Sequence, residues 1–452
     1  MNVAILGTGY VGLTTGACLA FLGHKVTCVD PVAEKIEALK RGEVPFHEPH
    51  LDELLADARR NLIFTTSYAE AIPDAQVIFI AVGTPPGNGG SPDLQYLLSA
   101  AHGVGEHMGS HFTVVVNKST VPIGSGNWVG SLVREAAAAR GAGHENFAVA
   151  SNPEFLREGS ALLDSLYPDR VVIGADQART AQVLYTLYQP LLDQTFQAPR
   201  FLPRPERLGA VPLISTDLAS AELIKYAANA FLSLKISYIN EIGQLAEKVG
   251  ANISHVARGM GLDARIGTRF LQAGIGWGGS CFGKDTAALI ATAGEYGLEM
   301  PIVKAAKDVN ARQRERVVDK LLAELKILKG RTIGLLGLAF KPDTDDLREA
   351  PAIDIARRLV ERGVRVKAHD PVAMNRFQRD YKDIDITLCP AAADVAKDAD
   401  AVVLVTEWAQ YRDLDWEALA ATMRSPLVLD GRNVLNRERL VRAGFRYLSL
   451  AG

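Results

Sequence analysis

The sequence predicts an α/β protein with two doubly wound domains joined by a central helical region that contains one long helix. Three observations predict this fold. Short apolar strands alternate with helical stretches at both ends of the chain, the tetrapeptide DPVA occurs at 30–33 and again at 370–373, and apolar residues recur at helical spacing through 217–250. Alternating strands and helices are typical of a parallel sheet covered on both faces. We therefore expect domains at 1–205, 206–325 and 326–452.

The first domain is predicted from its succession of strands. Each is a short run rich in β-branched residues that ends in turn residues. These strands are NVAILG, KVTCVD, AQVIFIAVGTP, FTVVVNKSTVP, NFAVAS and DRVVIGA. The strand pattern starts again near residue 331, with RTIGLLGLAF, VRVKAHD, ADAVVLVTEW and PLVLDG. The recurrence of DPVA directly after the second strand of each series indicates that one domain repeats the other.

The central region is predicted to contain one helix from about 217 to 250. Asp217 or Thr216 is a suitable N-cap, and Gly250 is a suitable residue to end the helix. The segment contains neither proline nor strand alternation. Its apolar residues cover more than one face, which predicts burial against a second copy of the chain and hence a homodimer or a higher homo-oligomer.

Composition narrows the class of protein. The chain has 452 residues, of which 48% are hydrophobic and 22% charged, and its formal net charge is −3. This balance gives no electrostatic reason to expect nucleic acid or an anionic membrane as a partner. No transmembrane span is predicted, and the apolar N-terminus lacks the basic residues of a signal peptide. Four cysteines without a CxxC pair indicate reduced thiols in a cytoplasmic protein.

The segment GTGYVG at 7–12 follows the first strand and opens a helix, which is the context of a Rossmann dinucleotide-binding turn. In this interpretation Gly7 makes the turn, Gly9 admits a pyrophosphate and Gly12 allows the helix to pack. Asp30 ends the second strand, where its carboxylate would accept hydrogen bonds from ribose hydroxyls and repel a 2′-phosphate, so NAD is predicted over NADP. Lys35 would cover the adenosine side. The alternative is a glycine-rich turn that binds no ligand.

The C-terminal copy of this turn departs from the dinucleotide pattern. After TIGLL it continues with Gly337 and places Ala339 where a second glycine would stand, so NAD is not predicted there. The loop KPDTDDLREAP follows. Lys341 in this loop would contact the phosphates of a substrate; the alternative is a solvated loop.

A second group of residues indicates thiol chemistry. Cys281 lies in the glycine-rich segment GIGWGGSCFGKD, and it is either an inert buried thiol or a nucleophile that a neighbouring cation activates. Lys225 and Asn229 lie about 40° apart on one helix face, although Lys225 could equally be a surface lysine. A thiol beside a nicotinamide points to aldehyde chemistry, in which a thiohemiacetal is oxidised to a thioester and hydrolysed to an acid.

Together these segments resemble the UDP-glucose/GDP-mannose dehydrogenase family. The motifs GTGYVG, VGTP, KSTVP, NPEFLREG, KYAANAF, GIGWGGSCFGKD, GLAFKPDTDD and DGRNVL occur in the family's order from residue 7 to 435. KYAANAFLSLKISYINEI is most similar to the branch that oxidises UDP-glucose. The resemblance implies oxidation of an alcohol at sugar C6 to a carboxylate, giving UDP-glucuronate, with two NAD consumed. Gly283 departs from the family, since many bacterial relatives have proline there.

The resemblance also implies roles for individual residues. Cys281 would be the nucleophile, Lys225 and Asn229 would stabilise an oxyanion, Thr120 and Asp285 would hold a water, and Glu154 would assist hydrolysis of the thioester. Besides the turn residues and Asp30, the predicted NAD contacts are Tyr10, Val11, Lys35, Thr84, Thr120, Glu158, Lys284 and Arg348. The predicted substrate contacts are Glu154, Phe155, Leu156, Lys225, Asn229, Arg265, Phe270, Gly274, Gly278, Lys341 and Arg432, with Arg265 reaching the partner subunit's site. No metal is predicted.

Three other readings fit parts of the pattern. A related enzyme would perform the same chemistry on UDP-N-acetylhexosamine or GDP-mannose. A regulator that binds NAD without catalysis would lack one of Cys281, Lys225 and Asp285, and all three are present. A two-electron alcohol dehydrogenase would need no thiol.

Overall fold

A computed structural model describes residues 1–85, 87, 91–141 and 146–451. The chain forms two compact units, one of Met1–Ala228 with Ala287–Tyr296 and one of Asn229–Thr286 with Gly297–Gly452. The domain limits expected at 205 and 325 stay a prediction. In the described ranges no helix combines the length and the apolar character needed to cross a membrane.

The first unit is built on one sheet. Its strands are β1 (Asn2–Leu6), β2 (Lys25–Val29), β3 (Leu62–Thr65), β4 (Val77–Ile80), β5 (Thr113–Asn117), β6 (Phe147–Ser151), β7 (Val171–Ala175) and β8 (Leu213–Thr216). Among the described residues these eight strands are ordered β3-β2-β1-β4-β5-β6-β7-β8. Val3 and Ile5 of β1 belong to the apolar cluster on one face, and Ala4 and Leu6 to the cluster on the other. The sheet is therefore covered on both faces, as parallel sheets are.

One strand pair departs from the predicted parallel arrangement. β6 and β7 are antiparallel, with Ser151 opposite Gly174, whereas β7 and β8 are parallel. Between β6 and β7, where every residue is described, the chain forms a single helix, α7 (Ala161–Leu166), which has six residues and so spans about 9 Å. A strand of five residues spans about 17 Å. The helix is therefore too short to carry the chain back along the sheet as a longer crossover helix does.

The other helices of the first unit lie between these strands. They are α1 (Tyr10–Phe21), α2 (Ala33–Lys40), α3 (Leu51–Ala58), α4 (Tyr68–Ala71), α5 (Gln95–His107), α6 (Ser125–Ala139) and α8 (Ala178–Leu192). α1 packs closely because it is made of small residues: its buried positions include Gly12, Gly16, Ala17 and Ala20.

The second unit repeats the sheet of the first. Its strands are β9 (Thr332–Leu336), β10 (Arg365–His369), β11 (Ile386–Leu388), β12 (Ala401–Leu404), β13 (Leu427–Asp430) and β14 (Arg446–Ser449). Within the described residues the order is β11-β10-β9-β12-β13-β14, and every pair is parallel. Both DPVA segments follow the second strand of their sheet, β2 and β10. The internal repeat seen in the sequence is therefore a repeat of topology.

The helices that remain include the predicted long one. They are α9 (Leu218–Val249), α10 (Ile253–Gly261), α11 (Phe282–Glu295), α12 (Pro301–Leu325), α13 (Pro351–Glu361), α14 (Met374–Asp380), α15 (Ala409–Arg412), α16 (Trp416–Thr422) and α17 (Arg437–Arg442). α9 and α11 contribute residues to both units. The Asp217 carboxylate accepts a hydrogen bond from the Ser220 amide at 2.8 Å, and Gly250 follows with a φ of +74°. These two features confirm the predicted start and end of the long helix.

Candidate active site

The turn between β1 and α1 has the form that a dinucleotide phosphate requires. Gly7 has a φ of +101°, and a Cβ there would lie 2.6 Å from the carbonyl oxygen of Ala81. A Cβ at Gly12 would overlap the carbonyl oxygen of Gly7, whereas one at Gly9 would meet no atom within 4 Å. Gly9 is the N-cap of α1 and supplies no capping side chain. The space beside Gly9 at the N-terminus of α1 is thus open, and a pyrophosphate there would accept hydrogen bonds from the first amides of the helix.

Asp30 lies directly after β2 and faces this turn. Its Oδ2 accepts hydrogen bonds from the Thr8 amide at 3.0 Å, the Thr8 hydroxyl at 2.8 Å and the Lys35 ammonium at 2.7 Å. Burial raises the pKa of this carboxyl, but the bonds from Lys35 and Thr8 outweigh burial and hold the pKa below its ordinary value. Asp30 is therefore a fixed anion, which suits ribose hydroxyls and disfavours a phosphate. In this structure Lys35 forms an ion pair with Asp30.

The corresponding aspartate of the C-terminal copy, Asp370, also binds the backbone of its own turn. Oδ2 of Asp370 accepts from the amides of Leu338 and Ala339 and from the Trp408 indole, and Oδ1 accepts from the amides of Val372 and Ala373. The residue is fully buried. All of this carboxylate's bonds are made within its own unit, so it serves to hold the turn.

Tyr10 is held by a residue that the sequence analysis did not select. The Tyr10 hydroxyl donates to Glu48, which also accepts from the amides of Gly159 at 2.6 Å and Ala161 at 2.7 Å. Glu48 thereby joins the start of α1 to the segment after Glu158. Val11, the next residue of α1, is half-buried.

Thr84 and Thr120 meet at the ends of neighbouring strands. The Thr84 hydroxyl donates to the carbonyl oxygen of Thr120 at 2.9 Å, and Ser119 donates to the carbonyl oxygen of Val82 at 2.7 Å. These bonds join the segments that follow β4 and β5. Carboxyl ends of strands in a doubly wound sheet are the usual place for a ligand.

Glu154 and Lys225 form a buried ion pair in the first unit. The Lys225 ammonium donates to Oε1 of Glu154 at 2.7 Å and to its carbonyl oxygen at 2.8 Å, and the Leu156 amide donates to Oε2 at 2.6 Å. Burial raises the pKa of Glu154, but the Lys225 charge and these hydrogen bonds hold it below its ordinary value. Lys225 is 4% exposed, so it is a buried cation with a carboxylate partner and not a surface lysine.

The aromatic ring of Phe155 lies beside two cations. The Arg170 guanidinium is 3.5 Å from the ring centre and the Lys225 ammonium is 5.6 Å from it. Such contacts fix both ring and cations. Phe155 and Leu156, which were predicted to contact substrate, and Glu158, which was predicted to contact NAD, are all half-buried, so this segment has surface available for a ligand.

In the second unit, Cys281 stands immediately before α11 and is partly exposed. Its carbonyl oxygen accepts a hydrogen bond from the Asp285 amide at 2.8 Å, which forms the first turn of the helix. A helix N-terminus favours negative charge, and cysteines in this position have a lowered thiol pKa as a class. Cys281 thus stands at the end of α11 that is favourable for negative charge.

Asn229 and Asp285 are also brought together in this unit. The side-chain amide nitrogen of Asn229 donates to Oδ2 of Asp285 at 2.6 Å, and the Lys284 ammonium forms an ion pair with Oδ1 of Asp285 at 3.1 Å. Asp285 is 1% exposed. These three residues and Cys281 all lie in α9 or at the start of α11.

The glycines before Cys281 are required by the packing of the chain itself. A Cβ at Gly274 would lie 2.6 Å from the carbonyl oxygen of Gly431, and one at Gly278 would overlap that of Glu349. Gly276 and Gly279 have φ values of +95° and +85°. Gly274 and Gly278 were predicted from the family resemblance as substrate contacts, and the structure shows that neighbouring backbone approaches both of them closely.

The C-terminal residues predicted to bind substrate have partners within the second unit. Arg432 donates to the carbonyl oxygens of Val405 at 2.7 Å, Gly276 at 3.0 Å and Phe340 at 3.3 Å. The Lys341 ammonium lies 5.4 Å from the centre of the Phe340 ring. Arg432 thus holds three segments together, whatever else it binds.

Three further predicted residues lie on more open parts of the second unit. Arg348 forms a forked pair with Asp346 at 2.7–3.0 Å. Arg265 pairs with Asp263 and its side chain is 89% exposed. Phe270 has a φ of +65° and its ring contacts that of Phe282 edge to face.

Lys118 is a buried residue that the sequence analysis passed over. It is 8% exposed and donates to Oδ1 of Asn152 at 2.9 Å, which also accepts from the Tyr188 hydroxyl at 2.6 Å. Its position in KSTVP was visible, but nothing local in the sequence indicates a charged side chain that points inward.

Within the described residues there is no cluster of three or more His, Cys, Asp or Glu suited to a metal.

Comparison with known proteins supplies the family. Sequence models of the UDP-glucose/GDP-mannose dehydrogenase family match the chain over three ranges: the NAD binding domain at 1–192, the central domain at 219–312 and the UDP binding domain at 334–437. The chain belongs to the UDP-glucose/GDP-mannose dehydrogenase family. It is an NAD-dependent oxidoreductase, and the turn at Gly7–Gly12 and Asp30 in the NAD binding domain fit that cofactor.

Individual relatives of this dehydrogenase family align with the whole chain. The UDP-glucose 6-dehydrogenase TuaD of Bacillus subtilis is 43% identical over 99% of this chain and 93% of its own. The solved structure of a UDP-glucose dehydrogenase from Pyrobaculum islandicum has a TM-score of 0.88 at 40% identity and covers 99% of this chain and 97% of its own. That of a UDP-D-ManNAc dehydrogenase from Pyrococcus horikoshii has a TM-score of 0.83 at 25% identity, covering 100% and 99%.

Proposed function

We propose that this enzyme is a UDP-glucose 6-dehydrogenase, which oxidises C6 of UDP-glucose twice to give UDP-glucuronate through a covalent intermediate on Cys281. The observation that carries the covalent step is the position of the partly exposed Cys281 at the N-terminus of α11, the end of a helix that is favourable for negative charge. UDP-glucose is favoured over the N-acetylated sugars because the two relatives described above that are named for UDP-glucose are 43% and 40% identical to this chain, against 25% for the one named for UDP-D-ManNAc.

NAD, when bound, accepts a hydride in each of the two oxidations. The Gly7–Gly12 turn and Asp30 hold it. After the first oxidation, the Cys281 thiolate adds to the C6 aldehyde and forms a C–S bond, and the oxyanion becomes the hydroxyl of a thiohemiacetal. The second oxidation removes the remaining C6 hydrogen as hydride, while the hydroxyl group releases its proton to water, and a thioester is left. Water then breaks the C–S bond and gives a carboxylate and the regenerated thiol.

The remaining residues have roles that their chemistry suits. Lys225 and Asn229 stabilise the negative oxygen at C6, because both carry N–H donors and preorganised donors act strongly where charge develops. Asp285 and Thr120 hold the water that takes up the alcohol proton. Glu154, a buried ionised carboxylate, accepts a proton from the water that attacks the thioester. The contacts assigned to nucleotide and sugar from the family resemblance belong to this same proposal.

The first experiment counts products. With UDP-glucose and NAD the enzyme should release UDP-glucuronate and two NADH for each sugar, and acid quenching should trap the sugar nucleotide on the peptide that contains Cys281. Cys281→Ala should form neither adduct nor acid, while Cys389→Ala, which alters a buried cysteine elsewhere in the second unit, should retain both. One NADH per sugar, acid from Cys281→Ala, or faster turnover of another sugar nucleotide would refute the proposal.

We also propose that the enzyme is at least a homodimer in which α9 packs against its copy. Phe231, Tyr238 and Leu245 follow each other at seven-residue intervals and are 61%, 47% and 60% exposed in the single chain. A spacing of seven keeps side chains on one helix face, and an apolar stripe of this kind is normally covered. Because the sequence has only four cysteines and no CxxC pair, we place the enzyme in the cytoplasm.

A further inference from the structure

A partly open cavity of about 80 Å³ in the first unit is lined in part by Glu154, the partner of Lys225. Its polar wall includes the side chains of Lys118, Asn152, Glu154 and Tyr188. Glu154 and Lys118 are both at least nine-tenths buried. Two cations, Lys118 and Lys225, therefore accompany one buried carboxylate, and the mechanism above uses only Lys225.

Lys118 is held in place by several contacts. Its ammonium donates to Oδ1 of Asn152 at 2.9 Å and lies 5.8 Å from the centre of the Phe79 ring. Oδ1 of Asn152 accepts a second hydrogen bond from the Tyr188 hydroxyl, and the side-chain amide nitrogen of Asn152 donates to the carbonyl oxygen of Val172 at 2.7 Å. Asn152 stands two residues before Glu154 in the same segment. The ammonium is thus fixed close to the segment that carries the carboxylate.

We propose that Lys118 is a positioning residue for the hydrolytic step: its positive charge, in the cavity shared with Glu154, keeps that carboxylate ionised when Lys225 turns to the substrate. This inference rests on the proposed function, in which Glu154 needs a second cation once Lys225 binds the oxyanion. Lys225 is assigned to the oxyanion, and its present partner is Glu154. A buried carboxylate that loses its only cation becomes protonated and is no longer a base.

The other charged groups around the cavity agree with this role. Burial lowers the pKa of Lys118 to about 8, with Glu154 acting to raise it and Lys225 to lower it further. Lys118 also helps to hold the pKa of Glu154 down. Burial raises the pKa of Cys18 to about 12 and that of Tyr188 still further, so both are neutral. Asp164 and Arg170 complete the charged lining.

The sign of the pH dependence follows from these directions. The pKa of Glu154 is lowered in the folded protein, so loss of a cation moves it upward. Below about pH 8 Lys118 is charged. In a variant with a neutral side chain at position 118, Glu154 should therefore take up its proton at a higher pH than it does in the wild type. Above that pH wild-type Lys118 is itself neutral, and the two proteins should converge.

The test measures decay of the acyl adduct on Cys281 in single turnovers across pH. The hydrolysis rate should fall at low pH as Glu154 becomes protonated, and this fall is the acid limb of its pH profile. In Lys118→Gln, which keeps a donor for Asn152 but no charge, the acid limb should move to higher pH by roughly one pH unit or more. That shift makes hydrolysis about tenfold slower at a pH below the limb. The initial burst of about two NADH per site should persist, because the steps before hydrolysis do not need Glu154 as a base. Lys118→Met serves as a second neutral variant if Lys118→Gln does not fold.

Two controls separate charge from shape. Lys118→Arg keeps the charge and should keep the wild-type acid limb. Tyr188→Phe removes the hydroxyl that bonds Asn152 but leaves the ammonium, and it should also leave the limb in place. An unmoved limb in a folded neutral variant, or an equal shift in Tyr188→Phe, would overturn the role of Lys118. Failure of the proposed function is a separate outcome, since no adduct would then form on Cys281 in the wild type.

Discussion

Gly9 and Gly12 lie in the same turn, yet the two glycines should respond differently to an added methyl group. At Gly9 the backbone φ is −70° and ψ is −172°, which alanine adopts without strain, and an added Cβ meets no atom within 4 Å. Gly9 is an N-cap, where alanine is less favourable than glycine by roughly 0.5 kcal/mol. Gly9→Ala should therefore leave the unliganded protein nearly as stable as the wild type.

The consequence of Gly9→Ala should appear only with NAD. A ligand at 100 times its dissociation constant stabilises the folded state by about 2.7 kcal/mol. In a unit of this size each kcal/mol raises the melting temperature by about 2–4 °C, so NAD should raise the wild-type melting temperature by roughly 5–10 °C. The methyl group of Gly9→Ala occupies the space that a pyrophosphate would enter, so the same NAD concentration should raise its melting temperature little or not at all.

Gly12→Ala is the matched contrast. Its Cβ would overlap the carbonyl oxygen of Gly7, and because the obstacle is backbone, no side chain can rotate to relieve it. Overpacking of this kind costs about 1–3 kcal/mol or more, so this variant should melt lower even without NAD. Thermal melts of the three proteins with and without NAD measure both effects. An NAD-dependent rise in Gly9→Ala equal to that of the wild type would refute the assignment of the turn.

Three other outcomes are expected. Asp30→Ala should weaken NAD binding and narrow the preference for NAD over NADP, because the acceptor for the ribose hydroxyls and the charge that repels a 2′-phosphate are lost together. Titration calorimetry with both cofactors measures this, and an unchanged ratio of the NAD and NADP affinities would contradict it. Lys225→Ala should reduce turnover by roughly 10²–10³-fold in steady-state kinetics, and a change confined to KM would instead make Lys225 a binding residue. Phe231→Asp combined with Leu245→Asp should yield monomers by light scattering, whereas a wild type that is monomeric and fully active at micromolar concentration would rule out the α9 interface.

The sequence by itself determined those features that depend on neighbours along the chain. The dinucleotide turn and the extent of α9 are local, since they follow from glycine spacing, a capping aspartate and helical periodicity. The repeat of DPVA likewise indicated two sheets of like topology, because in each copy the tetrapeptide follows the same strand. The family resemblance named the cysteine, lysine and carboxylates of the site from their motifs.

Only the tertiary structure decided which of these groups meet. The Glu154–Lys225 pair joins residues 71 positions apart, and Lys118 meets Asn152 across 34 positions. The reversal of β7 depends on the path of its connection, which residue preferences do not reveal. The contacts of Arg432 and of the glycines before Cys281 depend equally on distant backbone. Local sequence sets backbone preference and side-chain chemistry, but burial and partner charge depend on which distant segments pack together, and these decide whether a lysine lies at the surface or beside a buried carboxylate.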